Sequence, residues 1–367
     1  MKISTVKLQS MMSKVVKGVG NNKLIPITSL IGITLEDGTL TIVSTDGSNY
    51  LYVHEEVGEK GDFYVCVKAD QFSKLVSKMT SDYIELKIKD NCLEVKGNGT
   101  YNIEIPLDEN GDMVEYPNPI ADNESKVGDK TTIKLSTVKT ILSALKNGLS
   151  TSPSNPQLMN YYFGDCVVAT NNTKINALAE KVTDKPILVN PTLVDLMDTI
   201  TDDEINMVVY EPNWEEEPQQ IEFVSDTVTV FGYVSEGVES FPINAIKTLI
   251  DMSYDNYCTF SKTELLQVLD RISLFVEEYD KGAVSLSFDD DGLTIRSNKM
   301  NSEELIAYKE SHRDANSMYT AYVNVEMLQA QLKSQESDVV MLYFGLNKAL
   351  KIVDGNLTFI IALIQKK

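Results

Sequence analysis

The sequence predicts an α+β protein made of three copies of one unit, each carrying two helices and runs of antiparallel strand. Three observations predict it. A turn-and-strand segment recurs at about one third of the chain, an amphipathic helix precedes it in phase, and paired strand runs carry hairpin signals between the helices. The recurring segment is Asp37-Gly38-Thr39-Leu40-Thr41-Ile42-Val43-Ser44-Thr45-Asp46, then Asp165-Cys166-Val167-Val168-Ala169-Thr170-Asn171, then Asp291-Gly292-Leu293-Thr294-Ile295-Arg296-Ser297-Asn298. Aligning Thr45, Thr170 and Ser297 gives offsets of 125 and 127 residues.

The first helix of the first unit runs from Val6 to Val19, with Leu8, Met11, Met12, Val15 and Val19 on one face. Val138, Ile141, Leu142, Leu145 and Leu149 repeat that spacing, and Leu265, Val268, Leu269 and Ile272 repeat it again. Such spacing is the mark of a helix buried on one side. A short strand and a second helix follow in each unit. The strands are Phe63 to Val67, Pro186 to Val189 and Tyr319 to Val323; the helices carry Phe72, Leu75, Val76, Met79, then Leu193, Leu196, Met197, Ile200, then a weaker set at Val325, Leu328, Leu332. Asp37-Gly38, Asn98-Gly99 and Asp354-Gly355 are two-residue hairpin signals between apolar or alternating runs. The polar, proline-bearing stretch Asp108 to Lys130 predicts one linker, and Lys247 to Tyr257 a second boundary. The predicted domains are therefore 1–127, 128–251 and 252–367.

Composition excludes several classes. With 54 acidic against 33 basic side chains, the net charge is −21, which argues against indiscriminate binding to nucleic acid or membranes. No apolar run approaches the ~18 residues of a membrane span, and the opening Met1-Lys2-Ile3-Ser4-Thr5-Val6-Lys7 lacks a signal-peptide core. A cytoplasmic protein is expected. Cys66, Cys92, Cys166 and Cys258 are isolated in hydrophobic runs and read as reduced, buried thiols.

Catalytic motifs fail one by one. Asp289-Asp290-Asp291-Gly292 is no EF-hand, because its first ligand would be Ser287; Glu215-Glu216-Glu217-Pro218 reads as an exposed hairpin tip. Gly18-Val19-Gly20 lacks the third glycine and the preceding strand of a dinucleotide fingerprint. There is no P-loop and no nucleophile elbow, and neither His54 nor His312 has an obvious nucleophile beside it. No enzyme, cofactor or metal is expected.

Charge placement is more informative. Lys7, Lys14 and Lys17 lie opposite the apolar stripe of the first helix, and Lys74 and Lys78 opposite that of the second. Lys139 and Lys146 flank the stripe in the middle unit, while Arg271 and Lys333 sit on helices of the third. Lysines populate any solvated helix face, but recurrence at equivalent helices predicts one cationic surface in an acidic protein. The helix Pro191 to Ile200 breaks the pattern, with Asp195 and Asp198 and no base.

A threefold repeat of this kind resembles the bacterial-type sliding clamp, the DNA polymerase III beta subunit, over essentially the whole chain. Met1-Lys2-Ile3, a helix, then Leu24-Ile25-Pro26-Ile27 is similar to that family's opening, as is Gly38-Thr39-Leu40 leading to Thr45-Asp46. The family's Ala-Thr-Asp-Gly-His-Arg-Leu motif stands here as Ala169-Thr170-Asn171-Asn172-Thr173-Lys174-Ile175, its Gly-Arg-Phe-Pro as Glu239-Ser240-Phe241-Pro242, and its Asn-Val as Asn324-Val325. The resemblance implies a non-enzymatic, head-to-tail homodimeric ring with helices lining the hole and antiparallel sheets outside. Duplex DNA would thread it without sequence preference, and a replicative DNA polymerase and a clamp loader would dock on one face. Lys14, Lys17, Lys23, Lys74, Lys78, Lys139, Lys146, Arg271 and Lys333 would face the DNA.

The family's partner groove would be walled by Leu158, Thr170, Asn172, Thr173, Lys174, Ile175, Pro242, Ile246 and Lys247. Tyr279, Asn324, Met327, Leu350, Ala362, Leu363 and Ile364 would complete it. Tyr101, Ile103, Leu274 and Phe275 would meet across the dimer interface. The chain departs from the family at Asn171-Asn172, at Thr173-Lys174 and at its ending, Ala362-Leu363-Ile364-Gln365-Lys366-Lys367, a divergence that would suit a phage clamp recruiting its own polymerase. The main alternative is an acidic DNA mimic or scaffold that encircles nothing, which leaves the recurrent basic helix faces unexplained. A metal-dependent hydrolase ranks last.

Overall fold

The strands and helices pair as the repeat demands. The computed structural model describes residues 1–58, 61–123, 126–277, 281–297, 302–313 and 318–365. Two compact units emerge, Met1–Val138 with Thr192–Val234, and Lys139–Pro191 with Ser235–Lys367. The middle repeat is thus shared between them. Among the described residues the helices are α1 (Thr5–Val15), α2 (Ala69–Ser77), α3 (Leu135–Thr140), α4 (Pro191–Leu196), α5 (Ile243–Ile250), α6 (Lys262–Ser273) and α7 (Val325–Lys333).

In the first unit a small sheet runs Lys2–Ser4, Tyr83–Lys89, Cys92–Lys96, Thr100–Glu104, all antiparallel. The larger sheet begins with Phe63–Lys68, Leu30–Glu36, Thr39–Thr45 and Tyr50–Glu56. It continues into the middle repeat through Val228–Ser235, Gln220–Val224, Glu204–Tyr210 and Gly128–Lys134. The joint is the register Tyr50↔Phe231, Leu51↔Val230, Val53↔Val228. Helix α1 buries Leu8, Met11, Met12 and Val15 of the expected stripe, while Val19, placed on the same helix by spacing, lies past the 3₁₀ turn Val16–Gly18 and is half-buried. Its Gln9 amide donates to the Val76 and Met79 carbonyls at 2.9 and 3.0 Å, satisfying acceptors that the end of α2 leaves open.

The second unit repeats the joint. Its main sheet runs Ile187–Val189, Tyr161–Phe163, Val167–Thr170, Lys174–Leu178, then crosses to the third repeat through Leu357–Ile361, Leu350–Asp354, Val339–Phe344 and Asn256–Ser261. The register there is Ile175↔Ile360, Asn176↔Phe359. A smaller sheet runs Glu303–Ile306, Leu293–Ser297, Ala283–Phe288, Tyr319–Asn324. Ser261 and Asn324 cap α6 and α7, accepting from the backbone N–H of Glu264 and Met327.

Three sequence expectations need correction. The run from Val138 to Leu149 is not one α-helix; α3 gives way to a π-helical turn at Ile141–Leu145 and a 3₁₀ turn at Lys146–Gly148. The reason is a buried amide. Asn176 donates to the Ala144 carbonyl and to the Asn147 Oδ1, both at 2.7 Å, and accepts from Gln331 Nε2 at 2.6 Å. Asn147 in turn donates to the Ala330 carbonyl at 2.9 Å, so the widened turn is anchored to α7.

The hairpins differ too. Asp37-Gly38 forms the two-residue turn, with φ of 48° and 83°. Asn98-Gly99 belongs to a three-residue loop closed by Lys96↔Thr100, and the two-residue turn near the C-terminus is Gly355-Asn356. Asp90-Asn91, unread in the sequence, is a further left-handed two-residue turn. Finally, Glu217 is not a free tip residue: its carboxylate takes the Lys126 ammonium at 2.7 Å, and both side chains are buried.

Beside that pair, Asn123 and the Tyr210 hydroxyl donate to the two oxygens of Glu222, a buried carboxyl. Desolvation raises its pKa against the two hydrogen bonds that lower it. A raised folded-state pKa means the contribution is full below the unfolded value and is lost as pH rises through the folded one. Glu222→Gln keeps both partners without the charge. It should raise the melting temperature at pH 8, with the gap to the native chain closing by pH 4, in calorimetric scans.

Candidate interaction sites

In the second unit, Leu158, Ile175 and Ile246 join one apolar cluster with Tyr162, Val168, Phe241 and Ile360, and Val238, Ile243, Leu249 and Ile250 lie half-open beside it. Phe241 stacks on Tyr162 with centroids 5.1 Å apart. Sequence strand Lys174–Leu178 reaches this cluster because its partner Leu357–Ile361 carries Ile360 to the same face. The departures from the family motif are absorbed by the turn. Thr170 Oγ1 donates to the Lys174 carbonyl at 2.8 Å, and Asn171 Oδ1 accepts from the backbone of Thr173 and Lys174 at 3.1 and 3.0 Å. Asn172 holds the left-handed position at φ 72°. In the first repeat Thr45, Asp46 and Gly47 make the same contacts, with Gly47 at φ 101°. Asn supplies the acceptor that Asp would, and it tolerates the left-handed conformation.

The C-terminal segment then joins the turn to the third repeat. Ala362 N–H donates to the Thr173 carbonyl at 2.8 Å and Ile364 N–H to the Tyr322 carbonyl at 2.7 Å. Leu363 and Ile364 are half-buried and Ala362 is exposed. Pro242 stands at the start of α5 and is half-buried. Lys247 pairs with Asp165, which raises the ammonium pKa and lowers the carboxyl. Burial alone lowers the pKa of Lys174. Leu350 is core, and Asn324 is occupied as the α7 cap and as donor to the Lys281 carbonyl at 2.6 Å, so neither offers a free contact. Met327 is half-buried on α7, while Tyr279 lies outside the described residues. Sequence spacing missed Val238, Ile243 and Leu249, whose apolar run around Phe241-Pro242 was the available signal.

The basic helix faces are exposed, but several charges are already neutralised. Lys17 pairs with Asp198 at 3.1 Å, Lys74 with Asp70 at 2.7 Å, and Arg271 with Glu304 at 2.6 Å. Asp198, the residue that broke the sequence pattern, is thus the counter-ion of Lys17, on the 3₁₀ turn that follows α1. Lys14 reaches Thr201 at 3.4 Å. Lys23, Lys78, Lys139 and Lys333 are exposed and have no ion pair among the described residues; Lys146 is exposed on the turn that follows.

At the sheet edges the apolar candidates divide. Tyr101, Leu274 and Phe275 are exposed, at 41%, 79% and 44%. Ile103, expected at an interface, is 1% exposed: it faces Leu93 across the hairpin and belongs to its own core. Among the described residues Thr100–Glu104 and Glu303–Ile306 are each paired on one side only, and Leu305 on the latter is 57% exposed. The acidic run Asp289-Asp290-Asp291 is a turn: Asp289 Oδ1 accepts from the N–H of Asp291 and Gly292, and Asp290 pairs with Arg313.

Comparison with known proteins bears on these surfaces. Residues 1–118 match the family described as DNA polymerase III beta subunit, N-terminal domain. The structure is similar to the DNA polymerase sliding clamp from Bacillus subtilis, at 17% identity and a TM-score of 0.81, covering 100% of this chain and 99% of that one. It is also similar to the beta subunit of Streptococcus pyogenes DNA polymerase (16% identity, TM-score 0.84) and the Borrelia burgdorferi DNA polymerase III subunit beta in complex with a natural product (16%, 0.82), with the same coverage. No curated protein matches the sequence. The likeness shows the fold.

The left-handed Asn172 generates a stability test. Asn172→Gly should leave urea unfolding unchanged within error. Asn172→Val should destabilise by about 1–2 kcal/mol, the cost of forcing a branched side chain into that conformation.

Proposed function

We propose that this chain, whose first 118 residues match the DNA polymerase III beta-subunit family and whose whole length takes the sliding-clamp fold, is a sliding clamp that encircles duplex DNA and tethers a replicative polymerase. One observation carries the reading: the fold match is end to end, with 100% of this chain aligned to 99% of a clamp. The protein is a processivity factor and not an enzyme; it works as a homodimer, is placed on DNA by a clamp loader, and acts in the cytoplasm of a bacterium or of a phage-infected host. The repeat gives the proposed domains 1–127, 128–251 and 252–367.

Charge supports this reading against a DNA mimic. A ring holds DNA by topology, so it needs only weak, sequence-independent attraction, and strong phosphate contacts would hinder sliding. Intrachain partners already neutralise Lys17, Lys74 and Arg271, leaving Lys23, Lys78, Lys139 and Lys333 as the screened lining. The acidic remainder repels DNA from other surfaces. For the dimer, Thr100–Glu104 and Glu303–Ile306 are suited to pair edge to edge, with Tyr101, Leu274, Phe275 and Leu305 as the apolar contact. Ile103 is left out of that contact. The polymerase segment would dock on the Leu158–Ile175–Ile246 cluster, bordered by Met327, Leu363 and Ile364.

Sizing by analytical ultracentrifugation and retention on nicked circular against linear DNA test the ring. A dimer retained only on circles is expected; a monomer under loading conditions that never resists sliding off sinks the reading. Reversing Lys78, Lys139 and Lys333 to Glu should lower the salt slope of DNA association by about one unit per lost phosphate contact. Arg271→Ala should change it little, because Glu304 already satisfies that charge.

Deleting 363–367 tests the groove. The last strand ends at the fully buried Ile361, so fold and dimer should survive while affinity for a polymerase peptide falls by roughly 2 kcal/mol or more. Undiminished binding in calorimetric titration would place the docking site elsewhere.

A further inference from the structure

The first unit holds a cavity of about 470 Å³ on its larger sheet, walled by strands of the first repeat and by the linker segment around Glu115 to Ile120. Its apolar floor is a copy of the cluster assigned to the polymerase peptide. Leu30, Val43, Tyr52, Tyr116 and Phe231 pack together, with Tyr50, Tyr64 and Ile120 beside them. Leu158, Val168, Ala177, Phe241 and Ile360 are their repeat mates, at offsets of 128, 125, 125, 125 and 129. The strand joint repeats as well, Tyr50↔Phe231 for Ile175↔Ile360. Tyr116-Pro117 stands where Phe241-Pro242 stands, although no motif in the sequence marked it.

The two copies differ in polarity. The cavity is lined by the rings of Tyr52, Tyr64, Tyr116 and His54, with the exposed carboxylates of Glu36 and Glu115 at its wall and no Lys or Arg among the described residues of its lining. The rings are held in place. Tyr52 donates to Asn118 Oδ1 at 3.2 Å, Tyr64 to the Val114 carbonyl at 2.9 Å, and Tyr116 to the Leu30 carbonyl at 3.3 Å. His54 stacks on Tyr52 and bridges Thr41 and Thr229 at 3.0 and 3.3 Å. Burial lowers its pKa, so it carries no competing charge at neutral pH. Beside the second cluster, by contrast, stands the Lys247–Asp165 pair, close to Tyr162.

We propose that this cavity is a second peptide-docking site, for a short segment that presents an arginine or lysine between apolar side chains. Tyrosine faces attract a cation and carboxylates at the wall pair with it, while the volume falls in the range of small-ligand pockets. One chain would then sort two partner classes by charge, using two copies of one scaffold. The repeat argument rests on reading the second unit's cluster as the polymerase groove; the cavity and its charges do not.

The test uses the full chain and two blocked, fluorescent peptides, Ala-Leu-Arg-Leu-Ala and Ala-Leu-Glu-Leu-Ala, read by anisotropy. The arginine peptide should bind at least about tenfold more tightly than the glutamate one, and the E36Q/E115Q double variant should weaken it about fivefold or more. Both carboxylates are exposed, so the variant folds. Truncation of 363–367 should leave this binding unchanged. Equal affinity for the two peptides, indifference to E36Q/E115Q, or loss on truncation would overturn the proposal. Failure of the polymerase groove would show only with the polymerase peptide.

Discussion

Hydrogen bonding across the sheet edge of each repeat is the constraint on which the rest depends. Strand Tyr50–Glu56 would be an open edge if the first repeat stood alone; Val228–Ser235 of the middle repeat closes it. Lys174–Leu178 is closed in the same way by Leu357–Ile361. An unpaired edge invites aggregation, so closing it within the chain both joins the repeats and protects them. The fixed register then dictates which side chains meet. Phe231 arrives beside Tyr50, and Ile360 beside Ile175, so each joint builds an apolar cluster against the Tyr116-Pro117 or Phe241-Pro242 segment.

Buried amides do the corresponding work on the helix side of the second unit. Asn176 sits in a strand otherwise lined by Ile175, Ala177 and Leu178, where an unpaired amide would be costly. It is satisfied by Ala144, Asn147 and Gln331, and the π-helical turn is the geometry that brings the Ala144 carbonyl within reach. The specificity of that network, more than its net energy, fixes how the turn meets α7.

Electrostatics follows a different logic. The chain carries −21 charges, and part of that excess is spent on its own cations. Lys17, Lys74 and Arg271 each keep an acidic partner at the surface, where such pairs contribute little to stability. Their effect is on function. They dilute a cationic face without removing it, as the proposed clamp, held on DNA by topology, would require.

By itself the sequence determined the repeat, the α+β class, the faces of α1, α2, α6 and α7, and the chain segments that form the second unit's apolar cluster. These are local or periodic properties: a stripe at helical spacing or a Thr-Asn-Asn-Thr turn says what it will do without distant partners. Only the tertiary structure decided that Ile103 is core and Tyr101 is not, because alternation in a strand leaves open which face is covered. It also decided that Asp198 neutralises Lys17 and that Asn324 is spent on a cap. And it brought Tyr116-Pro117 onto the strands of the first repeat, where Glu36 and Glu115 give a familiar apolar cluster an acidic wall. Each of these depends on residues far apart in sequence meeting at a distance of a few ångströms, and only long-range strand pairing sets that distance.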